Sequence, residues 1–182
     1  VVFEQSKQFL RVGADINLTP NAVRALDGLG AGIAQAVRAS AARPTHRISR
    51  TWDTGEETSR LAMGDEAERK YGAPQLTIHR ADLLAALADA FPAERVRFGK
   101  RAQSIEARAD GGVVIRFTDD SEATQLDVLI GADGIHSVVR NAMFGAESPR
   151  FTGVVAFRAV VPTERVKDVP NIQAFTKWWG AT

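Results

Sequence analysis

Cysteine is absent from the 182 residues. Its absence excludes disulfides, thiolate nucleophiles and cysteine-based metal sites, and is compatible with a reducing cytoplasm, the compartment expected. A charge imbalance is also lacking. Lys and Arg number 23 against 22 Asp and Glu, a formal net charge of +1, so there is no electrostatic footprint for nucleic acid. No apolar run approaches the ~20 residues that span a bilayer, and no signal peptide is visible. The phosphate-cradling fingerprint GxGxxG is missing as well: Gly13, Gly28, Gly30 and Gly32 fit neither its spacing nor its place after a strand.

The rest has the makeup of a folded domain. Hydrophobic residues are 45% and charged residues 25%, enough apolar chain for a sizeable core. The chain opens on Val1-Val2-Phe3-Glu4 without methionine and stops at Gly180-Ala181-Thr182, just after an aromatic strand-like run. It reads as a fragment of a longer protein.

The most informative stretch is DVLIGADGIHSVVR, residues 127–140. Val128-Leu129-Ile130 is a continuous apolar run, expected as a short strand covered on both faces. Gly131-Ala132-Asp133-Gly134 then turns the backbone where a side chain would block a ligand. A helix is expected from about His136 to Met143, its free N–H groups and positive dipole end available to an anion. Asp133 would repel a phosphate, so its carboxylate is expected to accept hydrogen bonds from sugar hydroxyls or from backbone amides. His136 has no visible nucleophile partner and reads as a helix cap, a role Ser137 can share. Arg140 reaches back to the turn or to a bound phosphate.

Glu4 follows an apolar, β-prone start. In a dinucleotide-binding βαβ unit the second strand ends in an acidic residue that bonds ribose hydroxyls. Residues 5–18 read as a loop, and Thr19-Pro20 starts a helix, with Thr19 as N-cap and Pro20 at the first helical position. A second helix is expected over 32–40 with Ile33, Ala36 and Val37 inward. Strands are expected at 45–53 and 59–63 around the turn Thr54-Gly55-Glu56, then a short polar helix at 66–71 closed by Gly72. His46, between arginines, reads as solvated rather than as a ligand. Leu76 to Asp82 runs from a short strand into a helix that ends at Ala90, with Leu83, Leu84, Leu87 and Phe91 on one face. Arg80, at that junction, can fork onto phosphate oxygens or pair with Asp82 or Asp89. Arg11 could likewise reach a phosphate or stay solvated. A short strand at 95–98 precedes an antiparallel meander of 102–109, 113–118 and 122–125, turned at Asp110-Gly111-Gly112 and Asp119-Asp120-Ser121. Strands are expected again at 151–162 and 172–179, where Trp178 and Trp179 could face opposite sides of a sheet.

Three of these stretches together resemble one family. VGADINLTPNAVRALDGLG is similar to the segment GAGIxLxPNAxxxLxxLG, HRADL to HRxDL, and the 127–140 stretch to the DG fingerprint of the flavoprotein aromatic hydroxylases, the group typified by para-hydroxybenzoate hydroxylase and salicylate hydroxylase. Asp15 departs from the pattern, standing where a glycine is common. The resemblance runs from Glu4 to Trp179 and implies an α/β fold. Residues 1–150 would be a partial FAD-binding, Rossmann-like domain with a β-meander, and 151–182 the start of a β-rich substrate-binding domain, to whose side about 45–75 would contribute. It implies FAD as cofactor and NADH or NADPH as co-substrate. Glu4, Arg80, Gly131, Asp133, Gly134 and Arg140 would be cofactor-binding, and Asn17 a pocket residue where the loop of relatives passes near flavin and substrate. Otherwise Asn17 serves an Asx-type turn.

The function implied for the parent protein is hydroxylation of a small aromatic substrate with NAD(P)H and O₂, by a flavin-dependent monooxygenase. Two alternatives stay open: an FAD oxidoreductase or epoxidase of the same fold acting on a non-aromatic substrate, and a truncated, non-catalytic domain. No catalytic acid or base and no metal site is identified from the sequence. A later GD motif that the family uses for FAD is also absent, so the fragment alone is expected to bind FAD poorly.

Overall fold

The computed structural model describes residues 1–10, 13–109 and 111–180, apart from the side chain of Gln125. In chain order the elements are β1 (Val2–Phe3), β2 (Asp15–Leu18), α1 (Pro20–Asp27), α2 (Ala31–Ser40), β3 (His46–Thr51), β4 (Glu57–Ala62), α3 (Gly64–Tyr71), β5 (Leu76–His79), α4 (Arg80–Asp89), β6 (Val96–Arg97), β7 (Ala102–Ala107), β8 (Val113–Phe117), β9 (Glu122–Leu126), α5 (Val138–Phe144) and β10 (Phe175–Trp179). The fold is α/β. The chain divides into two compact units, Val1–Phe9 with Pro92–Phe157, and Leu10–Phe91 with Arg158–Thr182.

In the first unit β1 and β6 run parallel, Val2 opposite Val96 and Phe3 opposite Arg97. The pairing continues past the strand ends: Glu4 N–H donates to the Arg97 carbonyl at 2.9 Å, and Lys100 N–H to the Glu4 carbonyl at 2.9 Å. The expected meander is present as the antiparallel sheet β7-β8-β9. Its central strand β8 buries Val114, Ile115 and Phe117. The Phe3 ring lies 4.9 Å from that of Phe117 and ties β1 to the meander. Asp110, expected in the first hairpin turn, lies outside the described residues. The second turn is tight: Asp120 takes φ +62° and its N–H donates to the Phe117 carbonyl.

The second unit is built on a β2–β5 antiparallel ribbon, with Asp15 opposite His79 and Leu18 opposite Leu76. Leu18, Leu76 and Ile78 from the ribbon join Val23 of α1, Val37 of α2 and Ala86 of α4 in one core, with Ile33, Ala36 and Leu83 against it. Each fully buried Val or Ile contributes roughly 1.5–3 kcal/mol relative to exposure. Thr19 and Pro20 start α1 as the sequence signals, but the Thr19 hydroxyl bonds the Asn21 side chain and not a backbone amide. Gly72, at φ +74°, closes α3 in the left-handed conformation that glycine adopts without strain. A second sheet, β10-β3-β4, has β10 parallel to β3 and β4 antiparallel to it, with Ile48 fully buried at its centre.

Four expectations are corrected. Residues 15–18 are strand, not loop; Gly13 and Asp15 look like turn signals, yet the run pairs with β5 through its whole length. Val128-Leu129-Ile130 is not a buried strand: no ladder forms there, and Val128 and Ile130 are 76% and 84% exposed. A continuous apolar run suits a strand covered on both faces, but among the described residues no neighbouring strand offers it backbone partners. Residues 151–162 fail as a strand for the same reason, with Phe157 97% exposed. On α4 the most buried positions are Ala81 and Ala86; of the expected leucine–phenylalanine stripe Leu83 packs against the core, and Phe91 falls beyond the helix.

One ion pair couples the fold of the first unit to pH. The Lys100 ammonium donates to Asp119 at 2.6 Å and to Ser121 at 2.7 Å. Hydrogen bonds from Lys100 and then Ser121 lower the Asp119 carboxyl from its ordinary value to about 2. A carboxyl depressed in the folded state adds stability above its unfolded pKa and loses it as pH falls through the folded value. Chemical denaturation between pH 5 and pH 2 is therefore expected to show a decline, from about pH 4 downward, that is shallower in Asp119→Asn. The difference is expected to shrink in high salt, since both groups are partly exposed.

Candidate functional site

The turn at 131–137 and the helix it feeds form one hydrogen-bonded unit. An α-helix leaves its first N–H groups without intrahelical partners. Here Asp133 Oδ2 accepts from the Val138 amide at 2.6 Å and the Val139 amide at 3.2 Å. Ser137, the N-cap, accepts from the Arg140 amide at 3.0 Å through its hydroxyl, which itself donates to Asp133 Oδ1. The anion at the start of α5 is thus the protein's own carboxylate. Burial pushes the Asp133 carboxyl up, but the Ser137 hydroxyl and the Val139 and Val138 amides outweigh it and hold it below the ordinary value.

The glycines around it have distinct tasks. A Cβ on Gly131 would lie 2.6 Å from Val139 Cβ and 2.7 Å from its Cγ1, so this residue is glycine because α5 packs against it. Gly134 takes φ +80°, a backbone state that favours glycine. Arg140 Nη2 donates to the Ile135 carbonyl at 3.2 Å and the Glu147 carbonyl at 3.5 Å. Of the two readings of Arg140, the structure shows the reach back to the turn. Its Nε, and Oδ1 of the adjacent Asn141, are buried without a hydrogen-bond partner. His136 precedes the N-cap and is exposed. Glu4, in the same unit, follows β1 at the C-terminal end of the parallel pair, and its Oε1 accepts from the Ser6 amide at 2.7 Å.

In the second unit the β2–β5 ribbon positions the other candidates. Asn17 lies opposite Thr77, whose hydroxyl donates to Asn17 Oδ1 at 3.0 Å. Asn17 is therefore a strand residue in a cross-strand pair, not part of an Asx turn. β5 ends at His79, whose Nδ1 accepts from the Ala81 amide at 3.1 Å and caps α4. Arg80 is the first residue of that helix, exposed, with its amide bonded to the Ala14 carbonyl at 2.9 Å. Its side-chain stem lies over Gly13. Gly13 and Thr77 are the residues that sequence reading did not single out; a glycine two places before a strand was the available signal for the first. Arg11 lies outside the described residues. His46 starts β3 half-buried, and among the described residues no three His, Asp or Glu side chains gather as a metal site.

Two shallow cavities, of about 310 and 300 Å³, lie by Pro20, Arg24 and Tyr71 and by Arg43, His46 and Asp65; none of the candidate residues lines either. Taken singly, a carboxylate suits ribose hydroxyls and a guanidinium suits phosphate oxygens. Glu4 offers a carboxylate at the end of a parallel strand, and Arg80 a permanent cation at a strand–helix junction. Asp133 and Gly131 serve the turn itself. Replacing Asp133 by Ala is expected to cost about 1–2 kcal/mol through the lost cap. Gly131→Ala should cost about 1–3 kcal/mol through collision with Val139. Urea denaturation checks both, and a neutral result for either would remove its assigned role.

A family model described as FAD binding domain matches residues 14–181. The 6-hydroxynicotinate 3-monooxygenase of Pseudomonas fluorescens is 37% identical over 179 residues, which cover 98% of this chain and 46% of that protein. Salicylate hydroxylase of Pseudomonas putida is 36% identical over 173 residues, covering 92% of this chain and 38% of that one. The crystal structure of Klebsiella pneumoniae HpxO complexed with FAD and uric acid superposes with a TM-score of 0.66 at 30% identity, over 77% of this chain and 34% of that one. The chain spans less than half the length of these relatives. A match over so much of the chain shows the family: the chain belongs to the FAD binding domain family, with FAD as the cofactor of that family.

Proposed function

We propose that the whole protein is a flavin-dependent monooxygenase that hydroxylates a small aromatic substrate with NAD(P)H and O₂. The observation that carries this is the 37% identity to 6-hydroxynicotinate 3-monooxygenase, sustained over 98% of the chain. Salicylate hydroxylase, at 36%, is likewise named for an aromatic substrate. Bound flavin would supply the redox chemistry and the activation of oxygen; the protein supplies binding, orientation and exclusion of water. A cytoplasmic location accords with the use of NAD(P)H.

The roles divide by residue. Glu4 accepts hydrogen bonds from ribose hydroxyls, as strand-end carboxylates do in dinucleotide sites. Arg80 places its guanidinium on phosphate oxygens, where a forked, permanent cation is worth most. Asp133, Gly131, Gly134 and Arg140 act on the cofactor side through the shape of the turn and the helix start they hold. Asn17 borders the substrate pocket, its amide fixed by Thr77. Residues 1–150 form part of the FAD-binding domain and 151–182 the beginning of the substrate domain. The sheet that joins β3 and β4 to β10 supports a contribution of 45–75 to the latter.

Two measurements test this reading. The full-length protein is expected to consume NAD(P)H faster with one of a panel of aromatic acids than with polyenes; stimulation by polyenes alone would favour the epoxidase-type alternative. The 182-residue chain lacks GxGxxG, the usual source of backbone donors for a pyrophosphate. It is expected to purify without flavin absorbance, and stoichiometric retained flavin would overturn the assigned need for that motif.

A further inference from the structure

The backbone of Arg80 is fixed on both sides. Its amide donates to the Ala14 carbonyl at 2.9 Å, its neighbour His79 pairs with Asp15 across the ribbon, and the His79 imidazole caps the helix at Ala81. The side chain is a separate problem. An arginine carries about 2 kcal/mol of rotamer entropy, and a free stem sweeps its guanidinium through a wide volume. The structure shows one surface that the stem lies against. A Cβ built on Gly13 would meet Arg80 Cδ at 3.0 Å, Cβ at 3.4 Å and Cγ at 3.7 Å. The three carbons lie along the bare face of the Gly13 α-carbon. Gly13 also takes φ +119°, a conformation that L side chains rarely adopt. Backbone and side-chain geometry thus demand glycine at one position for independent reasons, and only the second concerns Arg80.

We propose that Gly13 is a positioning residue for the cofactor-binding arginine: its missing side chain provides the seat on which the Arg80 stem lies and from which the guanidinium is aimed. The proposal rests on the reading of Arg80 as a phosphate contact. A Cβ at 13 makes the stem give way by a few tenths of an ångström, and the charge remains but its aim changes.

The test is a double-mutant cycle on the full-length protein, with Gly13→Ala, Arg80→Ala and the pair together. FAD affinity is read by titrating the apoprotein, and aim by the ¹⁵N NMR signal of Arg80 Nε–H, assigned from its loss in Arg80→Lys. Gly13→Ala is expected to weaken FAD roughly ten-fold, the size of one misaligned charge-assisted contact. It should add nothing once Arg80 is Ala, and it should lower the Arg80 Nε–H heteronuclear NOE. Equal weakening in both backgrounds, or an unchanged Nε–H signal, overturns the proposal. Unchanged FAD affinity in Arg80→Ala removes the phosphate role of Arg80 instead, and the Nε–H signal alone then decides whether Gly13 seats the stem. If Gly13→Ala fails to fold, the wild-type Arg80 Nε–H heteronuclear NOE decides: a value close to that of the backbone amides supports a seated stem, and a value typical of a freely moving arginine overturns it.

Discussion

A carboxylate placed against the open end of a helix organises the most informative part of this chain. Asp133 satisfies two amides of α5 and orients Ser137, which satisfies the third. Charge and hydrogen bonding act in the same direction here: the helix end is partially positive and its amides need acceptors. This constraint fixes the distance between the turn and the helix. That distance in turn requires glycine at 131, because Val139 occupies the space of its Cβ. Arg140 then ties the turn to the segment beyond the helix through two carbonyls. A motif that looks like a ligand cradle in sequence is, in structure, a self-contained corner.

The second unit solves a different problem. There a ribbon delivers Asn17 and Arg80, whose backbones are placed by strand pairing and by the Ala14 carbonyl. β2 and β5 align four residue pairs, the strand end becomes a helix start at His79, and the core beneath is filled by Leu18, Ile78, Val37 and Ala86. The ribbon thereby converts burial of a few aliphatic side chains into placement of polar ones on its exposed side.

Much of this was legible in the residues. Thr19-Pro20 marked a helix start, Gly72 a helix stop, and the alternation after Ala102 a meander, because each depends on local backbone preferences that sequence carries directly. Glu4 and Arg80 were also legible by position at the ends of strands. The failures share a cause. Residues 128–130 and 151–162 have strand composition, but a strand is defined by its neighbours, and composition cannot say whether neighbours are present. Gly131 shows a related limit: a glycine signals that something approaches, but only coordinates show that Val139 does. Residues 15–18 were obscured by turn-like letters whose pairing partner lies sixty positions away.

The placement of the tryptophans has an optical consequence. All three belong to the second unit, Trp52 just after β3 and Trp178 and Trp179 at the end of β10, each more than half exposed. Intrinsic indole emission from this chain is therefore a local gauge of one sheet, silent about the meander and the Asp133 corner. Backbone circular dichroism sums over both units. Divergence between the two signals during unfolding would separate the loss of one unit from the loss of the other, without any added label.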